Sequence, residues 1–128
     1  MNDYADNIIV ARGTWGTVTC AICSNGSVPS KEFLDSLKTN KNANNNHVKL
    51  LVLFNKIVST GKLFNREQFK HVENKIYEFK QYQIRMGCFQ VKNSWVLTHG
   101  FIKKQDRWPK RELDRAERIM REHLSRGK

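Results

Sequence analysis

Acidic residues are scarce in this chain. Twelve Asp and Glu stand against 23 Lys and Arg, a formal net charge of +11 over 128 residues. The shortage is uneven: residues 1–60 hold 6 basic and 4 acidic side chains, residues 61–128 hold 17 and 8. Such an excess points to a polyanionic partner, and composition alone leaves nucleic acid and an anionic membrane surface both open. Long apolar runs are missing as well. The longest, Leu50 to Phe54, falls far short of the ~20 residues that cross a bilayer. The first six residues lack the positive-then-apolar order of a signal peptide, so a cytoplasmic location is expected.

Cysteine is sparse and odd in number, three in all, which does not suit a disulfide scaffold. Cys20-Ala21-Ile22-Cys23 has CxxC spacing, but no second CxxC or CxxH supplies the other two ligands that zinc needs. On a strand, positions i and i+3 point to opposite faces, so these read as two ordinary strand cysteines. His47, His71, His99 and His123 are scattered without metal spacing. A glycine-rich phosphate loop, a GxSxG elbow and a paired acidic metal cluster are absent from the sequence. No metal or cofactor is expected.

What is present suits one folded domain over residues 1–128, with 39% hydrophobic and 10% aromatic residues. Residues 1–13 read as an N-terminal extension whose Ile8–Ala11 patch is either a short strand or a loose arm. Trp15 to Cys23 is rich in β-branched residues and suits a strand; Ser24-Asn25-Gly26-Ser27 then makes a turn. Pro29 to Lys38 predicts a helix with Phe33, Leu34 and Leu37 at helical spacing. Five asparagines between Thr39 and Asn46 predict a solvated loop. A second helix follows from His47 to Thr60, stopped by Gly61. Residues 62–75 are polar and undecided.

The period then changes. Ile76–Lys80, Gln83–Val91 and Trp95–Ile102 read as strands, with Lys92-Asn93-Ser94 closing a hairpin. Ile84, Met86 and Cys88 share one face of the middle strand; Arg85, Gly87, Phe89 and Val91 share the other. Pro109 starts a last helix to about Leu124, with Leu113, Ala116, Met120 and Leu124 as its core stripe. Arg111, Arg115 and Arg118 fall on its solvated side, and Asp114–Arg118 and Glu117–Arg121 are expected as i,i+4 pairs. That stripe argues against a membrane-surface role. The order strand, helix, helix, three strands, helix predicts an α+β fold: a mostly antiparallel sheet with helices packed on one face and a C-terminal helix.

Lys80, Arg85, Lys103, Lys104 and Arg107 come from the strand region and its exit, with Tyr77, Tyr82 and Trp108 interleaved. Pairing of the strands would gather these cations. Cations orient phosphates and aromatic faces stack exposed bases, which together grip single-stranded RNA. Fixed cations also stabilise the crowded, more negative transition state formed when a 2′-hydroxyl attacks its own phosphate. Each of these residues read by itself is an ordinary surface charge. Arg85 is the exception, since a charge mid-strand between Ile84 and Met86 needs a reason. His99, ending a strand beside Gly100, reads as a structural residue or as a proton shuttle near neutral pH.

The run Val96-Leu97-Thr98-His99-Gly100-Phe101-Ile102-Lys103-Lys104, followed by Pro109-Lys110-Arg111-Glu112-Leu113 and Ala116, resembles the C-terminal signature of HigB-type toxins in the RelE superfamily. Tyr77-Glu78-Phe79-Lys80 is similar to that family's "YELR" strand, and Pro29 to Leu37 is similar to its N-terminal "P-x-x-EFLDSL". Lys80 stands where arginine is usual, and Trp108 where threonine is usual. The resemblance implies a RelE-like fold and the toxin of a type II toxin–antitoxin pair: an endoribonuclease that cleaves messenger RNA, usually in the ribosomal A site. It also implies an antitoxin partner, often with a helix-turn-helix domain. By the same resemblance Lys80, Arg85, Lys103 and Lys104 orient the phosphate and stabilise its added charge. His99 assists proton transfer, and Arg107 and Trp108, with Tyr82 beside them, contact RNA or ribosome. The competing readings are a non-catalytic RNA- or DNA-binding module on the same scaffold and a phage interaction protein whose basic face docks an acidic chain.

Overall fold

Alternation of side chains along the second half of the chain decides the architecture. The computed structural model describes residues 8–105 and 107–126. Its elements are β1 (Ile9–Arg12), β2 (Thr17–Cys20), α1 (Pro29–Thr39), α2 (Asn44–Thr60), β3 (Phe69–Glu73), β4 (Ile76–Gln81), β5 (Ile84–Val91), β6 (Ser94–Ile102) and α3 (Lys110–Ser125). They form an α+β fold around one six-stranded sheet in the order β1-β2-β6-β5-β4-β3. Pairing is antiparallel throughout except where β2 runs parallel to β6, Thr17 opposite Ser94. Three successive hairpins from β3 to β6 turn on two residues, and the first of each (Asn74, Tyr82, Lys92) has positive φ.

The sheet carries a helix layer on each face. Met86, Cys88 and Leu97 pack with Leu34 and Leu37 of α1 and Leu50, Phe54 and Ile57 of α2. Their neighbours Phe89 and Val96, with Ile76, pack with Ala116 and Ile119 of α3. Cys20 ends β2 and Cys23 lies beyond it rather than on the expected strand, and the two fall in separate clusters. Burial raises the Cys20 thiol to about 11 and pushes the Cys88 thiol well above its ordinary value, so both act as small apolar groups. Gly61 ends α2 in the left-handed conformation, with φ 86° and its N–H on the Ile57 carbonyl.

Several expectations need correction. The Ile8–Ala11 patch forms β1, whereas residues 1–7 of the expected extension lie outside the described residues. Helix α2 begins at Asn44, so the asparagine loop is shorter: the Asn40 side chain accepts the Asn42 N–H there, and the later asparagines have entered the helix. The undecided stretch contains edge strand β3, whose charged residues disguise it. On α3, Leu124 is exposed and Ile119 is buried in its stead, because the inward stripe runs Ala116, Ile119, His123, one position off the expected one, with His123 on Phe89. The i,i+4 ion pairs of α3 among the described residues are Lys110–Asp114 and Arg118–Glu122, rather than Asp114–Arg118 and Glu117–Arg121. Glu122 also accepts the Ser24 N–H and His123 Nδ1 the Ile22 N–H, which fastens the end of α3 to the segment after β2.

Candidate functional site

Strand register brings distant cations to one carboxylate. Lys70 pairs with Glu78, Glu78 with Gly87, Lys80 with Arg85, and Arg85 with Phe101. Residues two apart on a strand share a face, so Lys70, Glu78, Lys80 and Arg85 all emerge beneath α3. Glu78 is completely buried. Its Oε1 accepts a hydrogen bond of 2.7 Å from the Trp108 indole N–H. Arg85 Nε stands 3.7 Å from Oε1, and Lys70 Nζ 3.9 Å from Oε2. These separations give Coulombic attraction without a hydrogen bond. Among the described residues Glu78 Oε2 and Arg85 Nε are the buried side-chain polar atoms left without a hydrogen-bond partner. Such a vacancy is costly in a protein interior, and vacant polar atoms gather where something else is to bind.

Arg85 is held in place by its own turn, with Nη1 donating to the carbonyls of Tyr82 at 2.7 Å and Ile84 at 2.9 Å. Its mid-strand charge therefore has a partner, Glu78, and an anchor. Lys103 leaves the end of β6 with its backbone N–H on the Gln83 carbonyl. Burial lowers the Lys103 pKa; the Glu78 charge opposes this, while Arg85, Lys70 and Lys80 add to it. Lys80 lies 3.7 Å from Glu67 and reaches the Arg66 carbonyl. Between β3, β4 and α3 opens a cleft of about 520 Å³, whose lining includes Lys70, Glu78, Lys103, Arg107 and Trp108.

Trp108 reaches Glu78 because residue 87 has no side chain. A Cβ on Gly87 would lie 2.8 Å from the Trp108 ring and 2.5 Å from Thr98 Oγ1. Opposite Gly87 the β5–β6 register shifts: Met86 pairs with Gly100 but Cys88 with Leu97. That irregularity in β6 places Thr98 and His99 side by side. Thr98 Oγ1 and His99 Nδ1 lie 3.2 Å apart, and His99 Nε2 lies 3.0 Å from Glu112 of α3. Burial lowers the His99 pKa to about 4 despite that carboxylate. The contact is thus a neutral Nε2–H donating to Glu112, with Nδ1 accepting from Thr98, rather than an ion pair.

The structure brings Lys103, Arg107 and Trp108 to one cleft; Arg85 stands behind it against Glu78, with Lys80 opposite Arg85 in the register. It does not bring the others there. His99 is only 1% exposed, is stacked on Phe101 and does not line that cleft; its Nε2 reaches Glu112 of α3. Lys104 is exposed beyond the cleft lining. Tyr82 is an exposed turn residue whose carbonyl, not its ring, serves Arg85. Sequence reasoning missed Glu78 and Lys70. A lone Glu and a lone Lys on amphipathic strands carry no signal until the register is known. The constellation can hold a phosphate between fixed cations and present it to a vacant carboxylate oxygen.

The family model described as Phage derived protein Gp49-like (DUF891) matches residues 32–121, more than two thirds of the chain. No curated protein matches the sequence. The matched span contains α2, strands β3 to β6 and most of α3, hence the entire cleft. The chain therefore belongs to the Gp49-like family of phage-derived proteins, a RelE/HigB-like toxin family.

Proposed function

We propose that this chain is the toxin of a type II toxin–antitoxin pair, a metal-independent endoribonuclease that cleaves messenger RNA on the ribosome in the cytoplasm. A cognate antitoxin carrying a helix-turn-helix domain holds it silent. One observation carries the reading: a buried carboxylate with a vacant oxygen, flanked by Lys70, Arg85 and Trp108, in a cleft that Lys103 and Arg107 also line beside Glu73, Asp114 and Glu117.

The chemistry follows from those groups. An RNA phosphate enters the cleft and takes hydrogen bonds from Lys70, Lys103 and the vacant Arg85 Nε, with Lys80 and Arg107 adding positive potential. Glu78 Oε2 accepts the proton of the neighbouring 2′-hydroxyl as its oxygen attacks phosphorus. The bond to the 5′-oxygen breaks, and Lys103, made more acidic by burial and by nearby cations, supplies the proton to that leaving oxygen. The products are a 2′,3′-cyclic phosphate and a 5′-hydroxyl. His99 positions α3 rather than moving protons at the phosphate.

Induced expression in a bacterium, with primer extension on a reporter message, tests this reading. Wild type should arrest growth and create new message ends, and Arg85→Ala/Lys103→Ala should lose both while remaining soluble. Soluble wild-type protein that produces neither, with no antitoxin present, would identify a non-catalytic RNA- or DNA-binding module instead. Purified protein with naked message and with programmed ribosomes separates ribosome-dependent from free cleavage.

A further inference from the structure

The edge strand β3 has a second cavity on its other side. Strand residues alternate, so Lys70 projects toward α3 while Phe69 and His71 project toward the face covered by α1 and α2. On that second face, at the C-terminal end of α2, lies a cavity of about 510 Å³ with the half-buried Tyr77 and Trp15 in its lining; Phe69 and Trp95, only 6% and 4% exposed, close its floor. Phe69 and Tyr77 lie nearly parallel, with ring planes 8° apart, and Trp95 meets both edge-on. The Trp95 indole N–H is tied to the Gly61 carbonyl, which fixes the ring before anything binds. Lys62, Phe64 and Arg66 also line this cavity, and the Phe64 side chain is 86% exposed.

Two features say what fits here. The lining combines the exposed Phe64 ring and the half-buried Tyr77 and Trp15 rings with Lys62 and Arg66, which is the pairing that holds an unpaired base and its phosphate. It is also continuous with the phosphate cleft, because Lys70 and His71 line both cavities. A nucleic acid strand rounding the β3 edge can therefore place a phosphate on one face of the sheet and a base on the other.

We propose that the cavity lined by Phe64 and Tyr77, above the closed Phe69–Trp95 floor, is a nucleobase subsite for a nucleotide flanking the phosphate bound at Glu78. The inference rests on the RNA-cleaving reading of the cleft and adds a second point of attachment. Aromatic faces stack all four bases, so the subsite contributes affinity and positioning more than sequence choice. Phe64 closes over the base from solvent, and Lys62 and Arg66 neutralise the phosphates on either side of it.

The test uses a 2′-O-methyl oligoribonucleotide, which cannot be cleaved, and a set of the same oligomer with one abasic position each. Affinity is measured for wild type, Phe64→Ala, Phe64→Trp and Lys103→Ala. Phe64→Ala should weaken binding roughly fivefold or more, the lower end of what one base stack supplies, and Phe64→Trp should restore it. One abasic position should weaken wild type similarly and leave Phe64→Ala with no further loss. If neither Phe64→Ala nor any abasic position changes affinity while Lys103→Ala still lowers it, the subsite is wrong and the phosphate cleft stands. Phe64 would then be an anchor for a protein partner. If wild type binds the oligomer neither free nor on a programmed ribosome, both readings fall.

Discussion

The two faces of one sheet follow different rules. Toward α1 and α2, the strands contribute Phe69, Phe79, Met86, Cys88 and Leu97 to an apolar core in which Ser30 is the buried polar residue. Toward α3, the alternate residues of the same strands bury Glu78, Thr98 and His99. One face lowers the free energy by removing hydrocarbon from water. The other encloses charge and leaves two polar atoms vacant, which opposes stability. Side chains one position apart thus serve opposite ends. Substitution of the apolar residues on either face should unfold the protein, and substitution of Glu78 on the second should disable it.

That contrast can be broken in graded steps. Phe79→Ala removes a fully buried ring that contacts Phe54 and Phe69 at 4.9 Å each. It should cost about 3–5 kcal/mol in urea denaturation. Its neighbour Glu78→Gln keeps a group able to accept the Trp108 indole N–H but loses the charge. Cleavage should fall at least about a hundredfold, the usual scale for a lost general base, with the urea midpoint nearly unchanged. Unfolding by Glu78→Gln would show that the carboxylate serves the fold instead.

Gly87→Ala should cost about 1–3 kcal/mol, because its methyl meets Thr98 and lifts Trp108 off the sheet. Altered Trp108 fluorescence would report the displacement, and unchanged fluorescence would remove the glycine from the account. The smallest effect concerns pH. His99 has a folded-state pKa of about 4, below the ordinary 6.5, so the unfolded chain binds more protons between those values. Stability is intact above pH 6.5 and falls as pH drops toward 4. His123 and His47 shift in the same direction, and burial is the first cause for each. Between pH 7 and 5 the His99 share is about 2 kcal/mol. His99→Gln should flatten that slope; an unchanged slope would place it elsewhere.

Much of the fold was legible because it rests on period. Ile84, Met86 and Cys88 alternate with Arg85, Gly87 and Phe89, and the structure sends the two sets to opposite faces. The Gly61 stop and the Pro29 start were local signals of the same kind. Strand β3 was not legible, since Phe-Lys-His-Val-Glu is an edge strand with charge on both faces. Leu124 misled because Ile119 and His123 lie one position away from Met120 and Leu124, and apolar spacing alone leaves that small rotation of the helix open. In the site, Arg85 stood out as a charge in an apolar strand, whereas Glu78 became visible only with its partners. Lys70, Arg85 and Trp108 arrive from three other segments, so no local window contains the constellation. His99 shows the reverse: a histidine whose type and position suggested chemistry, and which the fold buries between Phe101 and Glu112, off the cleft lining. Trp108, which departs from the related pattern, turned out to donate to Glu78.

The parallel pairing of β2 with β6 has a consequence for how the protein is made. Thr17 and its partner Ser94 are 77 residues apart, and β2 lies between β1 and β6 in the sheet. During synthesis the β1–β2 hairpin emerges early with one side unpaired, and its partner is threaded out only after most of the chain. Closing so long a loop makes this step slow relative to the three local hairpins from β3 to β6. Lys70, Glu78, Arg85, Lys103 and Trp108 likewise cannot meet until the chain has passed residue 108. A nascent chain therefore has no assembled cleft until residue 108 has been made.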